Sequence, residues 1–393
     1  MSSSDGKAYP LFSDVAILSE DTPRKDLPCS VTSVKPELGF DFRFRAGYDV
    51  TAPLKELSDE EGRLTMVFRV TPTDHPGDPI YFSQQLAVPE IEADAKGDVE
   101  LSGVFETGEG KYHVSWLMRD RTERICSSSW DIEASLPARD KPLPLDIAPD
   151  DVKAANLDPF RPEPRARGMG SDGGLHLKVI VNFAPQDTTK AVWGPEDESA
   201  ILSILRTMAR DPHAAAFSMV VVNSQERRVL YRQGKAAQID FPALGKAVKT
   251  LKLGMVDAKQ LAEKHGAAEF VGDLFTKEIS NLDAPDAVII LGPKAAVDDT
   301  LPPEALKRLG EAKFPMFYMD YDLATVPVFS ERDTDGNGVT AWRDAIGNAV
   351  RSVKGAEYTI TRPRDVYFAW SDIASRIIKS KVGKDPAANG QIP

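Results

Sequence analysis

Cysteine is nearly absent: the 393 residues contain two, Cys29 and Cys126, and no Cys-x-x-Cys pair. Two thiols are too few for a zinc cage. Histidine is almost as scarce. The five present, His75, His113, His176, His213 and His265, are scattered, with no two at metal-ligand spacing. Neither a Gly-x-Ser-x-Gly elbow nor a His-Glu-x-x-His stretch occurs, so the signatures of serine hydrolases and zinc proteases are missing. Long apolar runs are missing as well. Ala287 to Leu291 and Met219 to Val222 fall far short of the ~20 residues that a membrane-crossing helix needs, and no cationic start leads into an apolar leader. Nor is there a long basic run. A net charge of −12 speaks against nucleic acid or an anionic membrane surface as partner, because neither supplies the counter-charge.

What is present is ordinary globular composition, 42% hydrophobic and 27% charged, in a chain long enough for two domains, each with its own core. Cys29 and Cys126 stand near the start and near the end of the N-terminal region. A disulfide closing a loop of that length stabilises by roughly 4 kcal/mol in the chain-entropy model. It also implies an oxidising compartment; two unpaired buried thiols are the alternative. The opening Met1-Ser2-Ser3-Ser4-Asp5-Gly6 reads as a start placed on an already trimmed protein. The expectation is therefore an extracytoplasmic protein, secreted or periplasmic, whose signal peptide has been removed; a native cytosolic N-terminus is the alternative.

Five regions are expected. Residues 1–29 are an N-terminal segment, and residues 30–136 read as strands. Phe40, Phe42 and Phe44, then Tyr48 and Val50, alternate with Asp41, Arg43, Arg45 and Asp49, the period-two pattern of a half-buried strand. Further strands follow at Leu64–Val70, Ile80–Val88, Val99–Phe105, Tyr112–Met118 and Ile125–Leu136, separated by turn formers such as His75-Pro76-Gly77. That layout predicts an antiparallel, immunoglobulin-like β-sandwich with Trp116 and Trp130 packed inside it near Cys126. Prolines and then glycines make residues 137–174 an expected semi-rigid linker. Residues 175–381 alternate strands with helices: a continuous apolar strand at Leu177–Phe183, a helix at Glu196–Arg210, a strand pair around Asn223-Ser224-Gln225-Glu226, then further β–α units. Such alternation predicts a mostly parallel, doubly wound sheet covered by helices on both faces. Residues 382–393 are an expected disordered tail.

The hairpin Phe217–Tyr231, followed by the helix Asp240–Leu251, gives residues 175–381 an element order that resembles the von Willebrand factor type A (vWA) domain. An all-β domain ahead of it resembles bacterial secreted proteins of this kind. The resemblance implies a Mg²⁺ site in an Asp-x-Ser-x-Ser loop after the first strand, where hard oxygen ligands converge. Here the matching residues are Asn182-Phe183-Ala184-Pro185-Gln186, and the later strand ends in Gly292-Pro293-Lys294 where the family places an aspartate. The standard site is degenerate. Asn182, Gln186, Asp187, Thr188 and the loop tryptophan Trp193 remain as candidate binding residues at the sheet's carboxyl edge.

A second motif concerns calcium. Asp333-Thr334-Asp335-Gly336-Asn337-Gly338-Val339-Thr340-Ala341-Trp342-Arg343-Asp344 fits a calcium-binding loop pattern, with oxygens at positions 1, 3 and 5, glycine at position 6 and an acid at position 12. Asp333, Asp335, Asn337, Val339 (through its carbonyl) and Asp344 are the candidate Ca²⁺ ligands; a solvated polar loop capping the next helix through Thr340 is the alternative. No catalytic residue is assigned. Three functions stay open: a binding or adhesion-like protein recognising a protein or surface ligand without Mg²⁺; a hydrolase using Asp320 and Asp322; or a structural envelope-assembly module. The first is preferred.

Overall fold

The structure, a computed structural model, describes residues 11–20, 22–57, 63–88, 96–156, 158–164, 174–186, 194–251, 266–280, 284–293, 301–312, 314–323 and 344–382. Two compact units divide the chain, Met1–Leu157 and Asp158–Pro393. Among the described residues no helix is long and apolar enough to cross a membrane.

The first unit holds helix α1 (Phe12–Glu20) and strands β1 (Ser30–Leu38), β2 (Phe44–Pro53), β3 (Arg63–Pro72), β4 (Ile80–Ala87), β5 (Asp98–Thr107), β6 (Gly110–Arg119), β7 (Ile125–Ala134) and β8 (Val152–Ala154). They form two antiparallel four-stranded sheets, ordered β1-β2-β5-β8 and β4-β3-β6-β7. The inward residues of the alternating pattern join them: the Tyr48 ring from β2 lies 5.6 Å from Phe68 on β3 and 5.1 Å from Trp116 on β6. Trp130 closes on the same tyrosine at 6.5 Å. Cys126, on the same face of β7 as Trp130, is disulfide-bonded to Cys29, with the two Cα atoms 6.2 Å apart. That bond ties the segment before β1 to the last long strand.

Three features of this unit differ from the sequence expectation. The strand expected from Phe40 starts only at Phe44, as β2, because Phe42 takes a left-handed φ of 61° and its N–H bonds Gly39 O at 3.0 Å, making a tight turn where alternation alone predicts continued strand. Within the N-terminal segment α1 forms, and its Leu18 packs on Val67, Leu117 and Ile125 of the outer sheet face. The segment from residue 137 to 156 is not an extended spacer. Leu143 and Ile147 are buried, and β8 pairs with β5. A few apolar side chains among the prolines suffice to anchor it, since each buried aliphatic group contributes about 1.5–3 kcal/mol.

The second unit contains β9 (Leu175–Asn182), α2 (Pro195–Arg210), β10 (Ala214–Asn223), β11 (Arg228–Ala236), α3 (Phe241–Val248), α4 (Gly266–Ser280), β12 (Ala287–Pro293), α5 (Pro303–Gly310), β13 (Met316–Tyr321), α6 (Ala345–Ser352), β14 (Ala356–Ile360) and α7 (Pro363–Val382). Its six-stranded sheet runs β11-β10-β9-β12-β13-β14, parallel throughout except for β11, the antiparallel edge strand supplied by the hairpin. β9, β12 and β13 are buried along their whole length, as a sheet covered on both faces requires. Ile180, Val220, Val288, Ile290 and Tyr318 meet α4, α5 and α6 on one face. On the other, α2 and α7 pack against each other and against β10, β12 and β14. Residues 158–163, expected to be linker, are clasped to α2. Arg206 pairs with Glu163 and donates to the Pro159 and Arg161 carbonyls at 2.9 and 3.0 Å.

Candidate functional site

In an open α/β sheet the crevice for a ligand opens at the carboxyl ends of strands, where the strand order reverses. Here the order reverses between β9 and β12, so the positions that count are Asn182, ending β9, and Gly292, near the end of β12. One row of residues crosses the sheet at this level. Val222 on β10 pairs with Asn182; on the far side of β12, Gly292 pairs with Asp320 on β13, and Asp320 with Thr359 on β14. A Cβ added at Gly292 would lie 2.9 Å from Asn182 Cβ, so glycine is what lets the strands approach here.

Asn182 does not face a free cavity. Its Nδ2 donates to Ser224 Oγ at 3.0 Å, while its Oδ1 accepts from Ser224 N–H, also at 3.0 Å. Asn182 is 5% exposed and Ser224 3%. The neighbouring Asn223 does similar work, donating through Nδ2 to Phe183 O at 2.9 Å and accepting from Glu226 N–H at 2.8 Å. Two side-chain amides thus fasten the end of β9 to the β10–β11 turn.

Gln186 reaches the other way. Its Nε2 donates to Asp322 Oδ1 at 2.6 Å, and its Oε1 accepts from Leu323 N–H at 2.8 Å. It bridges the loop after β9 to the end of β13, across the mouth of β12. Beyond it, Asp187, Thr188 and Trp193 lie outside the described residues. Of the candidate binding residues at this edge, the two that are described, Asn182 and Gln186, are crosslinks within the fold.

The described donors do not fit magnesium. An amide with both polar atoms committed, an alanine at 184 and a glutamine held by Asp322 offer no converging anionic oxygens. Among the described residues no group of three or more His, Cys, Asp or Glu side chains is placed to hold a metal ion. Of the proposed calcium loop, Asp333, Asp335, Asn337 and Val339 lie outside the described residues. Asp344 is described, and it caps α6: its Oδ1 accepts from Gly347 N–H at 2.5 Å. The helix is described from Ala345, and the carboxylate expected to close the loop is its cap; Thr340, the cap under the alternative reading, lies outside the described residues.

Acidic groups do gather at this edge, around a residue whose role the sequence conceals. Tyr318 is wholly buried; its hydroxyl lies 2.6 Å from Asp344 Oδ2, to which it donates, and 3.2 Å from Pro293 O. Burial, then the charges of Asp344 and Asp320, push its pKa well above the ordinary tyrosine value, so it remains a neutral donor. Asp320 is 0% exposed, with Thr359 Oγ1 donating to it at 3.2 Å. Asp322 is held by Gln186. These carboxylates sit inside a hydrogen-bonded frame, an arrangement that fixes loops more readily than it passes protons to a substrate. His113 lies elsewhere, on the outer sheet face of the first unit, with Nδ1 2.7 Å from Asp131. Ser224, Tyr318 and Thr359 were missed at the sequence level. Ser224 reads as a turn residue and Tyr318 as strand core, and only the partner across the sheet reveals the bond each makes.

No family model matches the chain, and no curated protein matches it. Among solved structures, it is similar to the conserved hypothetical protein BatB from Bacteroides thetaiotaomicron, at 17% identity and a TM-score of 0.32, covering 52% of this chain and 100% of that one. A glycosyl hydrolase family 2 member from Bacteroides cellulosilyticus matches at 9% identity and a TM-score of 0.19, over 77% of this chain and 37% of that one. A β-glucuronidase from Bacteroides uniformis matches at 7% identity and a TM-score of 0.17, over 75% of this chain and 36% of that one. Superpositions this loose carry neither fold nor activity across, and the functional reading rests on the chain's own geometry.

Proposed function

We propose that this chain is an extracytoplasmic binding protein, in which a vWA-like α/β unit, preceded by an immunoglobulin-like β-sandwich, recognises a protein or surface ligand through a metal-free carboxyl edge. The observation that carries the reading is the reciprocal Asn182–Ser224 pair. It occupies the position where the vWA resemblance calls for the first magnesium-binding aspartate and spends both amide atoms on the fold. The antiparallel edge strand β11 supports the vWA-like reading, since an ordinary doubly wound sheet has no hairpin there. The Cys29–Cys126 bond supports an oxidising location.

Without a metal, recognition depends on shape and hydrogen bonding from the loops around Gln186, the Ser224 turn and the end of β13. Gln225 is the exposed residue of that turn. The test is co-sedimentation of the labelled full chain with bacterial cell-envelope fragments, in excess EDTA and in Mg²⁺. Saturable binding, equal in both and weakened at least about tenfold by a bulky charged substitution, Gln225→Arg, is the expected result. Binding that EDTA abolishes, or no saturable binding at all, would overturn the proposal.

A further inference from the structure

Residues 158–164, Asp-Pro-Phe-Arg-Pro-Glu-Pro, belong to the second unit and form a strap across α2 and α3. Among the described residues no backbone–backbone hydrogen bond joins the strap to either helix; Arg161 N–H bonds within it, to Asp158 O at 3.4 Å. Two side-chain anchors seat it. The Phe160 ring lies on Gly245 of α3, where an added Cβ would come within 2.6 Å of Phe160 Cγ, so glycine is what makes room for the ring. Further on, the Glu163 carboxylate, its side chain 7% exposed, pairs with two arginines of α2: Arg206, and Arg210 through Nε at 2.7 Å. Between the anchors Arg206 donates to the Pro159 and Arg161 carbonyls, and its guanidinium carbon stands 4.5 Å from the centre of the Phe241 ring.

Each contact has the form by which a protein surface reads a peptide. An aromatic side chain fills a notch, a carboxylate meets paired guanidinium groups, and main-chain carbonyls accept from an arginine fork. Pro159, Pro162 and Pro164 fix φ around the anchors, which lowers the entropy lost on docking. All three prolines are exposed, so the strap buries little besides its anchors. The surface beneath it, by contrast, is built into the fold. Phe241 is 0% exposed, and Ile201, Ile204, Leu205 and Met208 bury the other face of the helix that carries Arg206 and Arg210.

We propose that the α2–α3 surface is a peptide-recognition site, filled in cis by residues 158–164, which act as an autoinhibitory strap. The partner it takes is a protein segment of the same chemistry: an aromatic residue, a carboxylate three positions later, and prolines around them. A tethered segment has an effective concentration on the order of 1 mM. With a Kd on the order of 10–100 μM for the free segment, the strap is closed about ten to a hundred times more often than open, and a partner enters only by competing with it. Arg206 and Arg210 lie in the second half of α2, and neither Asn182 nor Gln225 takes part. The site therefore stands whether or not the carboxyl edge binds a ligand.

Fluorescence anisotropy with a labelled peptide of residues 158–164 tests it on the full chain. Phe160→Ala with Glu163→Lys opens the strap, removing one anchor and setting a like charge against the two arginines. The open chain is expected to keep the wild-type circular dichroism spectrum and to bind the peptide with a Kd on the order of 10–100 μM. Wild type, its site filled, is expected to bind at least about tenfold more weakly. Adding Arg206→Met to the open chain is expected to weaken binding at least about tenfold; a peptide carrying Glu163→Gln reads the same contact with the protein unchanged. An open chain that fails to fold would overturn the proposal, because the strap would then be part of the core. So would a folded open chain that binds nothing up to about 1 mM peptide. Equal binding by wild type and open chain, or binding indifferent to the peptide's glutamate, would count against it equally.

Discussion

Asn182 is the residue on which the functional reading turns, and its energetics follow from two bonds. Asn182→Ala removes the acceptor of Ser224 N–H and the donor to Ser224 Oγ, at a site 5% exposed for one partner and 3% for the other. Each buried group left without a partner costs about 1–3 kcal/mol. A total loss of about 2–4 kcal/mol is expected, the two effects being coupled and less than additive. Asn182→Asp is the sharper probe. The carboxylate still accepts from Ser224 N–H, and the Ser224 hydroxyl can turn to donate, so the cost is mainly that of burying charge. A loss of several kcal/mol follows, the effective penalty for a buried ion without a cationic partner. If the new aspartate rebuilt a magnesium site with a Kd of about 0.1 mM, 10 mM Mg²⁺ would return roughly 2.7 kcal/mol by mass action. Ala184 supplies no oxygen and Gln186 is held by Asp322 and Leu323, so no such recovery is expected. Urea denaturation in 10 mM Mg²⁺, against sodium chloride of matched ionic strength, measures it. A Mg²⁺-dependent gain above about 1 kcal/mol, in wild type or in Asn182→Asp, would refute the argument that this edge has lost its metal chemistry.

Two other perturbations probe the frame around that site. Replacing Cys29 and Cys126 together with alanine opens a loop whose ends are 97 residues apart in sequence. The chain-entropy model gives a loss of about 4–5 kcal/mol, read from urea midpoints; a loss below about 1 kcal/mol would mean that the unfolded chain is not what the bond restrains. Lys178 on β9 and Glu278 on α4, 6% and 3% exposed, form a buried ion pair at 2.8 Å, and Arg232 on β11 joins them. Burial alone would raise the Glu278 pKa, but hydrogen bonds and charge from Lys178 and Arg232 outweigh it and hold it below the ordinary value. With the folded value depressed, the pair's contribution is present above the unfolded pKa of about 4.3 and is lost as pH falls through the lower folded value. Lys178→Met alone is expected to cost about 3–5 kcal/mol, because Glu278 loses its buried partner. Adding Glu278→Leu is expected to recover most of that, leaving Arg232 to water. Equal losses in the single and double variants would exclude a coupled pair.

Much of the fold was legible because the physics that dictates it is local or periodic. The apolar run Leu177–Phe183 and the stripe Ala200, Ile201, Ile204, Leu205 and Met208 announce a buried strand followed by an amphipathic helix, and both appear. The Asn223–Glu226 turn sits between two β-prone runs, which form the hairpin that supplies the antiparallel margin. The errors fall where one side chain decides. Phe42 continues the alternation in sequence but takes a left-handed turn. Leu143, Ile147 and Phe160, spaced among prolines, look too sparse to organise a segment. Yet Leu143 and Ile147 are buried, and the Phe160 ring sits against Gly245. Proline restricts φ without preventing its neighbours from packing.

The carboxyl edge of the sheet was legible in the element order, and the work of its polar groups was not, for a reason that applies beyond this chain. Strand order places Asn182, Gly292 and Asp320 on one row at the carboxyl edge, and element order alone was enough to expect that edge. What each polar group does there depends on partners 42 residues away for Asn182, 136 for Gln186 and 26 for Tyr318. No local pattern encodes such pairings. A degenerate metal motif therefore has two possible meanings in sequence, a site waiting for its ion or a crosslink that has replaced one. Reciprocity separates them: an amide that both donates to and accepts from one buried serine has its oxygen and its nitrogen engaged by the fold, at a position only 5% exposed. On the proposed reading, the asparagine at position 182 serves the fold. Under the binding function proposed above, recognition would fall to the loops that this crosslink holds in place.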